Sequence, residues 1–487
     1  MTAQDKFTLL APDLRIARVI TGLWQIADME RDERSLDLEA AARSMRAYTD
    51  VGLSTFDMAD HYGSSELIAG IFSQQCTAND KPQLLTKWVP KPGGSSRETV
   101  REAVQRALDR LQTERIDLLQ YHAWNYADPS YLDDLLFLKE LQGEGLIRHL
   151  GLTNFDAAHL RVVLEAGIDV VSNQVCFSLL DQRATGAMTA LCKEKNVKLL
   201  AFGTLAGGFL TERWLGKPEP TMESLATWSQ MKYKRYIDQA GGWEPLQNLL
   251  RVLGDCAKRH TVSMANIASR FMLEQPAVGA VIIGARLGQS EHIENNRQLL
   301  DFSLDAASTD AINEALSSLD VIPGDCGDEY RKPPFLTASG DLSHHIDELP
   351  KPFPSKPGSD GQTLALSGTV WEDLAGFARA VRKGDQIFVS GTTATHGDRV
   401  IGAGDPTAQA EFVIDKIEGA IQSLGGSLDN VVRTRIFLRN IDDWEAVSRV
   451  HGRRFGTIQP ANTLVRAELV GDEYLVEIEA DAIVNET

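Results

Sequence analysis

Eight short β-rich runs, separated by amphipathic stretches, fill the first two-thirds of this chain. They lie near Val19–Leu23, Ser54–Asp57, Leu84–Trp88, Ile116–His122, Arg148–Leu152, Val170–Gln174, Lys198–Phe202 and Ala280–Ile283. The stretch from Ser95 to Leu111 shows what lies between them. Ser95 and Glu98 form a capping-box pattern, and Val100, Val104, Ala107, Leu108 and Leu111 fall on one helical face. Alternating strand and helix predicts a parallel sheet, and eight such units predict a closed (β/α)8 barrel of the α/β class. A barrel of this kind carries its chemistry at the C-terminal ends of its strands.

The chain is longer than one barrel needs. Its 487 residues predict at least two domains. After Cys326 the composition changes: Arg331-Lys-Pro-Pro-Phe and Leu349-Pro-Lys-Pro-Phe-Pro-Ser-Lys-Pro-Gly358 are rich in proline, which favours extended backbone. The reading is a barrel over 1–325, a linker over 326–361 strapped across it, and a second domain over 362–487. In that domain Ala380–Gly391 reads as strand, turn and strand. Asp405 and Pro406 start a helix with a cap and an N1 proline. Strands near Val431–Leu438 and Val476–Ala480 flank a helix near Trp444–Phe455.

The formal net charge of −19 argues against general binding to nucleic acid or anionic membrane. No apolar run is long enough to span a bilayer. The N-terminus lacks a basic-then-apolar signal pattern. Five scattered cysteines without a Cys-x-x-Cys pair argue for reduced thiols in a cytoplasm and against a zinc site. There is no Walker A loop and no Gly-x-Gly-x-x-Gly fingerprint.

Four side chains at successive strand ends form a proton-donor set. Asp57 ends one run, Tyr62 follows in a loop, Lys87 ends the next run and His122 the one after. A tyrosine, with a pKa of about 10, is a poor acid near neutrality unless a cation sits beside it. A carboxylate holds the cation, and a histidine orients a substrate carbonyl. Asp57-x4-Tyr62-Gly with Lys87 and His122 resembles the tetrad of the aldo-keto reductases, and the resemblance runs from about residue 10 to about residue 320. It implies that Tyr62 is the general acid, that Lys87 tunes its pKa, that Asp57 partners Lys87, and that His122 orients the carbonyl. It also implies extended NADP(H) and hydride transfer to a carbonyl.

The same resemblance assigns the cofactor contacts. Leu23 and Trp24 follow the first strand, beside the nicotinamide. Gly-Leu-Thr-Asn-Phe places Thr153 and Asn154 on the carboxamide, joined by Gln174. Phe202 replaces the stacking tyrosine of a Tyr-Ser-Pro-Leu stretch that continues here as Gly203, Thr204 and Leu205. Arg286 matches the group that pairs with a 2′-phosphate, and Asn295 or Asn296 the one that meets the adenine. Trp24, Trp88 and Trp124, each just past a strand, are the expected aromatic wall of the substrate pocket. The long connection over about 211–245 reads as a binding loop. A sugar, a pyridoxal-like ring and an apolar aldehyde suit this pocket equally.

The second domain resembles the Rid/YjgF family through its Val-Ser-Gly strand, Gln409, Asp-Asn-Val-Val-Arg-Thr-Arg-Ile, Pro460-Ala461 and Glu477-Ile-Glu-Ala. That resemblance implies a chorismate-mutase-like α+β fold and a homo-oligomer, a trimer, with clefts between subunits. Deaminases of the family grip a carboxylate with an arginine directly after Pro-Ala. Here that residue is Asn462, which cannot form a charge-assisted bidentate pair. Glu477 matches an acid that activates water. Three readings follow: a carbonyl reductase with an assembly or ligand-binding domain, a cofactor-sensing regulatory protein, and a bifunctional imine deaminase and reductase.

Overall fold

A computed structural model describes residues 6–289, 292–338, 341–342 and 346–484. A short antiparallel hairpin comes first, β1 (Phe7–Ala11) and β2 (Leu14–Ala17). Eight parallel strands follow: β3 (Val19–Gly22), β4 (Thr55–Asp57), β5 (Gln83–Trp88), β6 (Ile116–Tyr121), β7 (Ile147–Thr153), β8 (Ser172–Cys176), β9 (Lys198–Phe202) and β10 (Val278–Gly284). They close into a barrel in chain order, with β10 pairing back onto β3. The hairpin seals the N-terminal end: Leu10, Leu14 and Ile16 pack with Ile20, Leu85, Leu118, Leu200 and Ile282 inside the barrel. The opposite end is left open for chemistry. Register brings Gly22 beside Asp57, Lys87 beside Gln120, and Thr153 beside Gln174, so these residues share one level of the barrel mouth.

The helix expected from Ser95 runs over Arg97–Leu111, with its apolar face buried as predicted. Its cap lies one residue later than the sequence pattern predicts. Ser96 accepts from the Thr99 amide, while the Ser95 amide donates to Asp134. A tertiary acceptor therefore wins over the local capping box.

The Pro-rich segment is a strap that belongs to the barrel's site before it reaches the second domain. A short turn of helix over Asp328–Arg331 docks on the barrel mouth through Arg331, whose guanidinium donates to the carbonyls of Ala123 and Asn154. The second sheet begins at Ser355, earlier than the expected boundary of 362. It contains β11 (Ser355–Pro357), β12 (Thr363–Ala365), β13 (Ala380–Lys383) and β14 (Gln386–Thr393). A small hairpin, β15 (Thr395–His396) and β16 (Arg399–Val400), stands apart. β17 (Val431–Leu438), β18 (Ala461–Arg466) and β19 (Val476–Ile483) complete the sheet in the order β11-β12-β13-β14-β19-β17-β18. The helices Pro406–Ser423 and Trp444–Phe455 belong to this domain. Asp405 caps the first of these through the Thr407 and Ala408 amides, with Pro406 at N1.

The two domains meet along a polar seam. His159, on the barrel helix Ala157–Glu165, bridges Asp156 at 2.7 Å and Asp415 of the second domain at 3.0 Å. Its ring stacks on Tyr126 at 3.5 Å between centroids and 7° between planes. Arg454 donates to Asp415 at 2.6 Å and to Glu418 at 2.5 Å, and Arg453 and Arg454 both pair with Glu411. The guanidinium groups balance the acidic cluster around His159. Arg161 reaches Asp405 at 2.9 Å, and His396 reaches Asp133 at 2.9 Å.

Gly419 is a point of close backbone approach between the two domains. A Cβ there would sit 2.2 Å from the Ala127 carbonyl oxygen, a backbone atom that cannot rotate away. Gly419→Ala is therefore expected to destabilise the docked state by about 1–3 kcal/mol, despite the better helix propensity of alanine. A lowered melting temperature checks this; an unchanged or raised one contradicts the packing.

Candidate active site

The floor of the barrel mouth is a buried polar network. Lys87 Nζ donates to Asp57 Oδ2 at 2.7 Å and to the Met58 carbonyl at 2.9 Å. The other oxygen of Asp57 accepts from Gln174 Nε2 at 2.7 Å and from Gln120 Nε2 at 3.1 Å. Gln174 Nε2 also donates to Gln120 Oε1 at 2.9 Å. The Lys87 ammonium lies 4.8 Å from the centre of the Tyr62 ring. Alternation places these groups inside the barrel: Lys87 points inward from β5, so its neighbour Trp88 points outward.

Trp88 is accordingly not part of the pocket wall. It packs against Tyr121 at 5.7 Å in the layer between strands and helices. Trp24 and Trp124 do line the cavity. Leu23 is fully buried and absent from the lining; its amide donates to the Asp57 carbonyl, so it fixes the strand end and leaves cofactor contact to its neighbours.

The cavity above this floor has a volume of about 900 Å³. Tyr62, His122, Asn154, Gln174, Phe202, Gly203, Leu205, Arg286 and Asn296 all open onto it. Both ring nitrogens of His122 and Oδ1 of Asn154 are buried without a hydrogen bond of good geometry, although the Thr153 backbone interacts with the imidazole. Burial pushes His122 well below the ordinary histidine range, with the Arg331 guanidinium acting in the same direction, so the ring is neutral. Asn154 sits in the left-handed region at φ 61°, which aims its side chain into the cavity mouth. Thr153 donates its hydroxyl to the Gln174 carbonyl at 3.2 Å. Gly203 is required where it stands: φ is 78°, and a Cβ would meet Tyr233 Oη at 2.2 Å.

The electrostatics differ from the simple scheme of a lysine acidifying a tyrosine. Burial raises the Tyr62 phenol well above its ordinary value, and Asp57 raises it further. Burial also lowers Lys87, against the pull of Asp57. The Lys87 ammonium is engaged by Asp57 and a carbonyl, so the pair is close to neutral. The cation that opposes the rise at Tyr62 is Lys232, from the helix Trp228–Gln239. Sequence reasoning missed Lys232, and with it Gln120, Tyr330 and Asp341. Lys232 lies in the long connection read only as a binding loop. Tyr330 and Asp341 lie in the segment read as a linker. Gln120, two residues before His122 on a strand with a visible period, was the one of the four with a usable signal.

The outer end of the cavity suits a phosphate-bearing ligand. Ser263 caps the helix Met264–Leu273, and Ser263, His292, Asn295 and Asn296 line the cavity beside Arg286. Arg286 donates to the buried Asp28 at 2.7 Å, which holds its guanidinium in place. Ser290 and Glu291, within the same predicted stretch, lie outside the described residues.

In the second domain the two expected cleft residues do not converge within one chain. Asn462 donates to Thr434 Oγ1, which bonds His451 on the helical face of the sheet. Glu477 lies opposite Phe437, an odd number of residues along β17 from Thr434, and so on the other face. Burial raises the Glu477 carboxyl, and Glu479 adds to the rise.

A closed eight-stranded barrel with a buried Asp–Lys pair, a phenol and a neutral histidine around one cavity defines a barrel oxidoreductase in architecture. The comparisons agree. The model described as the aldo/keto reductase family matches residues 18–317. The chain therefore belongs to the aldo/keto reductase family. Residues 371–484 match the model described as endoribonuclease L-PSP and form a YjgF-family domain. A NADH-specific methylglyoxal reductase of Escherichia coli is 25% identical over 340 residues, covering 65% of this chain and 99% of its own length. An uncharacterized protein of Streptomyces coelicolor is 38% identical over 125 residues, 26% of this chain and 93% of its own. The solved structure of a glycerol dehydrogenase from Gluconobacter oxydans shares the fold, with a TM-score of 0.56 at 22% identity over 66% of this chain and 98% of its own. Among the described residues no helix is long and apolar enough to cross a membrane.

Proposed function

We propose that this protein is an NADP(H)-dependent carbonyl reductase or alcohol dehydrogenase, with the C-terminal domain serving assembly or ligand binding. The observation that carries the reading is the set of orphaned polar atoms at the cavity floor. His122 has two buried nitrogens and Asn154 a buried oxygen that make no hydrogen bond of good geometry within the protein. Buried polar atoms want partners. Asn154 offers an acceptor for a carboxamide N–H, and neutral His122 offers a donor for a carbonyl oxygen. The nicotinamide, when bound, supplies or takes the hydride. Asn154 and Thr153 would hold its amide, and Phe202 its ring. Tyr62 gives its proton to the carbonyl oxygen in reduction and takes it back in oxidation. Its raised pKa keeps the phenol protonated, the form reduction requires. Asp57, Gln120 and Gln174 hold Lys87 beside the phenol, so little reorganisation accompanies proton transfer. A cytoplasmic setting fits the five free cysteines.

Arg286 supports NADP(H). A 2′-phosphate would meet a guanidinium already oriented by Asp28, beside a helix N-terminus. Because the E. coli relative is named as NADH-specific, the choice is a point to measure. Arg286→Ala is expected to weaken NADPH binding by about tenfold or more, and NADH binding much less. Equal weakening of both in fluorescence titrations would remove the 2′-phosphate role.

Assembly has its own surface. The face of the second sheet opposite its helices carries Phe388, 46% exposed, and Val465, 42% exposed, beside Glu477. We read this face as the packing surface of a trimer. Phe388→Asp is expected to reduce the solution mass to that of one chain, and sedimentation shows it. A wild-type chain that sediments as a monomer would contradict the assembly role.

A further inference from the structure

Three polar side chains over the cavity take no part in the tetrad, and none comes from a barrel strand. Lys232 lies on the helix Trp228–Gln239 within the long connection. Tyr330 and Asp341 lie on the strap. All three line the cavity together with Tyr62 and His122. Tyr330 stands edge-on to His122, 5.6 Å between ring centroids. Lys232 Nζ bonds Tyr330 Oη at 2.8 Å and lies 5.4 Å from the centre of the Phe202 ring. Lys232 is 5% exposed, so its charge has left bulk water.

The charge balance of this group decides what it can bind. The ammonium has three N–H donors, and the hydrogen bond to Tyr330 accounts for one. Asp341 Oδ2 stands 3.6 Å away, close enough to neutralise the charge and too far for a hydrogen bond. Glu329, the next acid, lies 2.8 Å from Arg183, which Asp181 also holds through two hydrogen bonds, so those two acids share one cation. A substrate carboxylate here would place a second anion beside Asp341, which like-charge repulsion opposes. An unsubstituted aldehyde would cover an ion pair and return no hydrogen bond, which also disfavours it. A hydroxyl satisfies both partners, accepting from Lys232 and donating to Asp341.

We infer that Lys232, Tyr330 and Asp341 form a subsite for a neutral hydroxyl adjacent to the reacting carbonyl, so that the substrates are small α-hydroxy aldehydes and ketones. This rests on the reductase reading above. It separates the three substrate kinds that the sequence left level, in favour of the sugar-like one. It also gives the strap a function: the segment that joins the domains supplies two of the three groups that select the substrate.

The test compares glycolaldehyde, acetaldehyde and glyoxylate, which share a two-carbon frame, using full-length protein with NADPH. The wild type is expected to give the highest kcat/KM with glycolaldehyde. Lys232→Met is expected to lower that value at least about tenfold more than the acetaldehyde value, which falls as well because the cation opposing the rise at Tyr62 is lost, and the difference between the two is expected mainly in KM. Tyr330→Phe and Asp341→Asn are expected to show the same ordering at smaller size, and they carry the test where Lys232→Met fails to fold. Equal losses on glycolaldehyde and acetaldehyde would overturn the subsite and leave the reductase reading standing. A wild-type preference for glyoxylate, strengthened by Asp341→Asn, would overturn the neutral-hydroxyl assignment in favour of a carboxylate. No Tyr62-dependent turnover of any of the three would overturn the subsite together with the reading beneath it.

Discussion

Tyr62→Phe is expected to lower turnover by about 10²–10⁴-fold while cofactor binding stays within about twofold of wild type. The substitution removes one oxygen and its proton. The ring remains above Lys87, so the packing of the floor is kept. Asp57 remains engaged by Lys87, Gln120 and Gln174. Neutral His122 can still hold a carbonyl oxygen, but burial holds its pKa so low that it is a poor proton store at neutral pH. Turnover that survives Tyr62→Phe would remove the acid assignment, and lost cofactor binding would mean that the cavity itself had collapsed.

The domain seam makes the second large prediction. Burial pulls His159 down, yet Asp156 and Asp415 outweigh it and lift its pKa to about 9 from the ordinary 6.5. A group with a raised folded-state pKa stabilises the fold fully below its unfolded value and loses that contribution as pH rises through the folded value. The seam therefore contributes most below about pH 6.5 and fades by about pH 9. At 1.36 kcal/mol per pH unit that interval amounts to about 3 kcal/mol, an order of magnitude for a group 4% exposed. His159→Gln is expected to be markedly less stable than wild type at pH 6, with the gap closing by about pH 9.5. Denaturation midpoints of both proteins across that range check it. A gap that does not change with pH would mean that the ring is neutral and serves only by stacking on Tyr126.

The sequence exposes some of this molecule and hides the rest for physical reasons. All eight barrel strands were legible because a buried parallel strand reads as a β-branched run between turn signals. Asp57, Lys87 and His122 were legible because strand ends can be read from the same runs. Trp88 was misplaced because alternation beside the inward Lys87 sends it outward, a one-residue distinction that family motifs do not encode. Leu23 was misassigned for a related reason: its neighbour Trp24 takes the cavity while Leu23 packs inside. Lys232, Tyr330 and Asp341 were hidden because irregular segments have no period. Only tertiary docking, through Arg331 on the Ala123 and Asn154 carbonyls, brings the strap to the barrel mouth. The seam was hidden likewise, since His159 and Asp415 lie 256 residues apart and neither belongs to a local motif.

The most direct measurement follows the hydride itself. Full-length protein is incubated with NADPH carrying deuterium at nicotinamide C4, each stereoisomer in turn, and with glycolaldehyde. The product alcohol is then analysed by mass spectrometry and NMR. The account predicts one carbon-bound deuterium in the ethylene glycol product from one stereoisomer only, and at least about a hundredfold less of it when Tyr62→Phe replaces the wild type over the same interval. Product without deuterium from either stereoisomer, or cofactor bound with no product across a broad range of aldehydes and ketones, would contradict it.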